Sequence, residues 1–241
     1  MLVAAAVCPC PPLLVPEVAA GAAPELDALR DACDRALRAV AEARPDRLLV
    51  VGTTDEGDPG RRNSFPWGAR GSFRRYGVDR TVRLGTGRDP GDGTWGELTA
   101  SVAVGAWLLE RAGWTGPCEA RCVRPDEDPD ACLRLGAELA EAAPRTALLV
   151  LGDGSARRSL KAPGYLDGRA EAFDAAAARA LAAADTAALA ALPPDRAAGL
   201  MAAGRAPWQV LAGAAGGAGL GGRLLYDEAP YGVGYLVAAW T

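Results

Sequence analysis

LVAAAVCPCPPLLVPEV, residues Leu2 to Val18, is the stretch that decides the fold. Its first seven residues, Leu2 to Cys8, are continuously apolar and lack the alternation of a half-exposed strand. That pattern suits a strand covered on both faces in the middle of a parallel sheet. Pro9, Pro11 and Pro12 then end it, because proline fixes φ and offers no backbone N–H to a ladder. The reading is a buried strand that stops abruptly and delivers Cys10 to the place where open α/β sheets bind ligands, just beyond the carboxyl ends of their strands.

Three further runs repeat the signature: RLLVVG (Arg47 to Gly52), EARCV (Glu119 to Val123) and TALLVLG (Thr146 to Gly152). Between the first two strands, a helix is predicted from Pro24 to Ala43, with Leu26, Leu29, Cys33, Leu37 and Val40 on one stripe. Strand, helix and strand in that order make a right-handed crossover and a parallel pair. Helices are also predicted from Trp95 to Ala112, from an Asp128 N-cap through Pro129 to Ala143, and over Arg169 to Leu192 with a break near Asp185. Shorter helices start at Asp195 and at Pro207. GRLLYDE and GVGYLVAAW read as closing strands joined by a tight APY turn. The glycine run AAGGAGLGG lacks the Gly-Lys-Ser/Thr ending of a phosphate loop and leads into a strand, so it reads as a connector. The fold class is therefore α/β: one domain over residues 1–241, with a central, mostly parallel sheet and helices on both faces. Residues 53–92 form an irregular insertion holding eight arginines with Phe65, Trp67, Phe73 and Tyr76.

Composition narrows the function. The 26 basic residues are outnumbered by 30 acidic ones, for a net charge of -4, so no basic excess favours nucleic acid or an anionic membrane. No apolar stretch reaches the roughly eighteen residues of a membrane span, and a cytoplasmic location is expected. The six cysteines (Cys8, Cys10, Cys33, Cys118, Cys122 and Cys132) are scattered through a chain large enough to fold without staples, and are expected to be reduced. The chain contains no histidine. That excludes a Ser-His-Asp triad, a Cys-His pair and any histidine-ligated metal.

With the strand ends placed, three stretches carry a family resemblance. CPCPPLLVPEV (Cys8 to Val18) resembles the Pro-His-Pro-Pro strand end of class III extradiol ring-cleavage dioxygenases of the LigB-like superfamily, which also contains the Memo-like proteins. GDGSARRSLKAPGYLD (Gly152 to Asp167) and YDEAPYGVGYLVAAW (Tyr226 to Trp240) are similar to later blocks of a bacterial branch of that superfamily. The resemblance implies a non-haem Fe(II) held by two histidines and a carboxylate, with a further histidine as acid/base. Carried over, the first metal histidine falls on Cys10 and the second in the loop Thr53 to Glu56. The acid/base histidine falls near Ser155 and Ala156, and the carboxylate on Asp227 or Glu228. Every expected histidine is replaced, so the family's Fe(II) is expected to be absent and no other cofactor is implied.

Three functional readings follow. In the first, the chain is a dioxygenase-like protein without its iron site. It binds a small anionic or aromatic ligand in a pocket of Cys10, Asp153, Ser155, Arg157 and Lys161, as a binding or regulatory protein. In the second, a divergent enzyme uses a cation held by Cys10, Asp55, Glu56 or Glu228, or uses Lys161 or Ser155 as a catalytic group. Lys161 stands out because a chain with 26 basic residues keeps one lysine, whose ammonium can act as a desolvated base where arginine cannot. Each candidate also has a plain structural reading: Cys10 as a small side chain filling the space of an imidazole, Asp153 as an acceptor of backbone N–H groups in a turn. In the third, the segment from Arg61 to Arg88 forms a protein interface, as in a homo-oligomer.

Overall fold

The computed structural model describes residues 1–55, 63–86 and 97–241. Its strands are β1 (Leu2–Cys8), β2 (Arg47–Thr53), β3 (Ser64–Phe65), β4 (Arg70–Ser72), β5 (Thr81–Arg83), β6 (Cys118–Val123), β7 (Thr146–Leu151), β8 (Gly222–Glu228) and β9 (Tyr235–Trp240). The helices are α1 (Pro16–Ala19), α2 (Asp27–Glu42), α3 (Ala100–Arg111), α4 (Pro129–Ala140), α5 (Ala170–Ala183), α6 (Thr186–Ala190), α7 (Pro194–Gly199) and α8 (Arg205–Ala214). Seven strands form one sheet in the order β3-β6-β2-β7-β1-β9-β8. The four central strands, β6, β2, β7 and β1, are parallel, and β9 runs antiparallel to both β1 and β8. This is the expected α/β fold.

The continuous apolar runs are explained by two cores, one on each face. From β1, Ala4, Ala6 and Cys8 face the core built with α2 and α3, whereas Ala5 and Val7 face the core built with α4, α5 and α8. The same alternation splits Leu48 and Val50 from Leu49 and Val51 on β2, and Leu149 and Leu151 from Leu148 and Val150 on β7. Each fully buried leucine or valine contributes about 1.5–3 kcal/mol, so charging either face of these strands would be felt.

Small residues set how closely the layers approach. A Cβ on Gly136 of α4 would lie 2.0 Å from the Val210 carbonyl oxygen of α8. One on Gly213 of α8 would lie 2.1 Å from the Leu133 carbonyl oxygen of α4. The two helix backbones therefore touch through reciprocal glycines, and Gly136→Ala forces them apart.

Helix ends follow local chemistry. The Asp128 and Asp185 carboxylates accept the N–H groups of Ala131 and Ala188 as N-caps, the second dividing α5 from α6 as expected. Helix α2 begins later than its periodicity suggests, because Ala20–Leu26, which includes Pro24, coils as a 3-10 segment. Helix α3 begins at a Thr99 N-cap, and the expected start at Trp95 lies outside the described residues. The β8–β9 connection is longer than a tight turn: the strand starts only at Tyr235, because Gly232 has φ +74° and Gly234 is bonded elsewhere.

Of the arginine-rich segment, residues 63–86 are described and contain β3, β4 and β5. Strands β4 and β5 form a two-stranded antiparallel sheet, and Phe73, Val82 and Leu84 are buried in the core that includes α3. Phe65 is buried as well, so two of the aromatics that suggested an interface are interior. Arg74, Arg75 and Arg80 pair with Asp79, Asp55 and Glu110. Among the described residues, no helix is long and apolar enough to cross a membrane.

Candidate functional site at the carboxyl ends of the strands

The site grows from the β1–β7 pair. Their ladder continues one step past the strands, where the Gly152 N–H donates to the Cys8 carbonyl at 3.1 Å. In the following Pro-Cys-Pro-Pro stretch, Cys10 carries the single backbone N–H, since proline has none. That N–H donates to Asp153 Oδ1 at 2.8 Å. Asp153 is held by its own backbone too, its carbonyl accepting the Gly204 N–H at 2.8 Å. Gly152 permits this approach, because a Cβ there would lie 2.3 Å from Gly204 Cα.

The Asp153 side chain is half-buried, and its Oδ2 accepts no hydrogen bond from the described residues. Burial pushes its carboxyl up to about 6, against the opposing pull of the Cys10 amide. Burial, and then the Asp153 charge, also push the Cys10 thiol well above its ordinary value. Thiolate chemistry needs the opposite shift, so in this setting Cys10 is a neutral thiol. The Tyr235 phenol, buried at the start of β9, is raised first by burial and then by the Asp153 charge. The site thus offers one open carboxylate oxygen among neutral groups.

Ser155 is turned away from this opening. It is fully buried, and its N–H and its hydroxyl each donate at 2.7 Å to the two oxygens of Asp174 on α5. Arg158 donates to the same carboxylate at 3.1 Å. Two glycines admit Asp174: a Cβ on Gly154 would lie 2.8 Å from its Oδ1, and one on Gly234 would lie 2.4 Å from its Oδ2. This node fastens the loop after β7 to α5 and to the segment before β9. Sequence reasoning did not single out Asp174. Its signal was one acidic residue on the buried stripe of an alanine-rich helix, with Ala177, Ala178 and Leu181 at the positions three, four and seven further on.

The rest of the loop folds back on itself, with the Ala156 N–H donating to Leu200 and the Gly164 N–H to Ala156. Arg157 is half-buried and its Nε is enclosed without an acceptor, while Lys161 is exposed and unpaired among the described residues. Of the five residues expected to form a pocket, Cys10 and Asp153 are in direct contact.

The expected cation ligands do not meet. Asp55, just past β2, is fully engaged: Oδ1 accepts the Ala100 N–H at the start of α3, and Oδ2 accepts two bonds from Arg75, each 2.8 Å. Glu228, at the end of β8, is exposed and accepts the Tyr226 hydroxyl at 3.2 Å. β2 and β8 each stand two strands from β1, on opposite sides, about 10 Å away at the usual strand spacing. Cys10, Asp55 and Glu228 therefore cannot share an ion, and no group of three or more Cys, Asp or Glu among the described residues is placed to hold one. Glu56 lies outside the described residues.

No protein-family model matches the chain, and no curated protein matches it. Among solved structures it is similar to the uncharacterized protein JW3007 from Escherichia coli K12, with a TM-score of 0.54 and 13% sequence identity over 99% of each chain. At that identity the likeness supports the fold and carries no function.

Proposed function

We propose that this chain is a histidine-free relative of the LigB-like dioxygenases that binds a small hydroxylated ligand at the strand-end site, as a binding or regulatory protein, not an iron-dependent ring-cleaving enzyme. The observation that carries the reading is the Asp153 carboxylate, held by the Cys10 amide through one oxygen and without a partner among the described residues at the other. An open buried-edge carboxylate calls for a ligand O–H or N–H donor, and such charge-assisted bonds are stronger than neutral ones. Arg157 and Lys161, on the loop that leaves Asp153, are placed in sequence to meet an anionic end of the same molecule. A phenolic acid fits both requirements, and the resemblance implies the aromatic body.

The test is calorimetric titration with 4-hydroxybenzoate. Binding that needs an ionised Asp153 is full above pH 6 and falls as the carboxyl protonates, by about tenfold between pH 7 and pH 5 for a group titrating near 6. Asp153→Asn is expected to weaken binding and to abolish its pH dependence. Equal affinity in Asp153→Asn and the natural chain would overturn the proposal.

A further inference from the structure

Alongside the edge strand β8, a groove of about 440 Å³ opens between that strand and α2. Its lining includes Arg35, Arg38 and Glu42 of α2 and Arg223 and Leu225 of β8, and Leu225 packs against the core on the α2 face. β8 runs parallel to β1, since both are antiparallel to β9. Arg223 pairs with Ala239, which pairs with Ala6, so it stands two strands from β1 at a level four residues before Cys10.

The groove is not built for another strand. The β8–β9 register slips between Leu224 and Tyr226, leaving Leu225 as the extra residue of a bulge, and Arg35 donates to the Leu225 carbonyl at 3.1 Å. A bulge with a charged side chain capping it blunts a sheet edge against strand addition.

Charge is what the groove presents. Arg35 and Arg38, three residues apart, share a helix face and repel each other, and Arg223 adds a third cation from the opposite wall. Among the described residues none of the three has a carboxylate within ion-pair distance, whereas Arg75, Arg80 and Arg111 each do. Glu42 is the single acid on the walls. A carboxylate is satisfied by one guanidinium fork. Guanidinium groups on two facing walls match a tetrahedral dianion, which can accept forks from both sides.

We propose that this groove is a second ligand site, taking a small organic phosphate whose apolar body rests on Leu225. The test is calorimetric titration with phenyl phosphate, with benzoate as comparison, at about 150 mM salt, where loose surface attraction is screened over roughly 8 Å. Arg35 is left in place because it holds β8, and the variant is Arg38→Gln with Arg223→Gln, checked for an unchanged circular dichroism spectrum. Expected are saturable one-to-one binding of phenyl phosphate, benzoate weaker by about tenfold or more, and a loss of about tenfold or more in the double variant. Binding is also expected to be unchanged in Asp153→Asn, so the strand-end reading can fail without touching this one. Absence of saturation up to about 10 mM, equal binding by the double variant, or equal affinity for benzoate would overturn the proposal.

Discussion

Asp153 lies within the loop after β7 and Asp174 on α5 fastens the same loop, yet the two acids are used in opposite ways. Asp174 is fully buried and both of its oxygens are occupied, by the Ser155 amide on one and by the Ser155 hydroxyl and Arg158 on the other. Asp153 is half-buried, has one oxygen bonded to the Cys10 amide, and keeps the other open. The filled carboxylate fixes the loop. The unfilled one is raised to about 6 and can respond to a ligand. Around this one loop, the satisfied acid marks structure and the unsatisfied acid marks the site.

The largest effect should come from removing the filled acid. Asp174→Ala leaves Arg158 uncompensated and the Ser155 donors unpaired, and is expected to cost about 3–5 kcal/mol in urea unfolding. A cost below about 1 kcal/mol would erase the contrast between the two acids.

Asp153→Asn should act the other way. The folded-state carboxyl is raised above its ordinary value, so between about pH 4 and 6 the folded chain binds more protons than the unfolded one. Stability contributed by Asp153 therefore falls as pH rises through that window. Asparagine keeps an acceptor for the Cys10 amide and removes the charge. It is expected to stabilise the chain at pH 7 by on the order of 2 kcal/mol and to flatten that part of the profile. Unfolding curves of the two chains at pH 4 and pH 7 check it.

Ser155→Ala deletes one donor to Asp174 and should cost about 1–2 kcal/mol while leaving 4-hydroxybenzoate affinity unchanged. A stable variant that no longer binds would move Ser155 from the structural node to the site. The smallest structural effect is expected for Cys10→Ala, about 1 kcal/mol, because the bond to Asp153 comes from the backbone. In the natural chain, Cys10 should alkylate with iodoacetamide at pH 8 far more slowly than a free thiol, followed by peptide mass spectrometry.

The sheet was legible because β1, β2 and β7 carry continuous apolar runs bounded by proline, glycine or charge, and their observed ends fall within a residue or so of those boundaries. Cys10 and Asp153 were legible for similar reasons, one set among prolines and the other between glycines at a strand end. Their contact spans 143 residues of chain and has no local signal. Asp55 shows the same limit: its partners Arg75 and Ala100 lie 20 and 45 residues away, and nothing near it marks its oxygens as occupied. In the described part of the insertion, the buried Phe73 and Val82 sit among arginines, whose pairing with acids appears only in three dimensions.

The most direct test of the account is the titration of the Asp153 carboxyl by carbon-13 nuclear magnetic resonance, assigned with Asp153→Asn, with and without saturating 4-hydroxybenzoate. The account requires a midpoint near 6 in the free chain. It also requires a downward shift when a ligand hydroxyl donates to the open oxygen. A free-chain midpoint at the ordinary aspartate value of about 4, unmoved by the ligand, would contradict it.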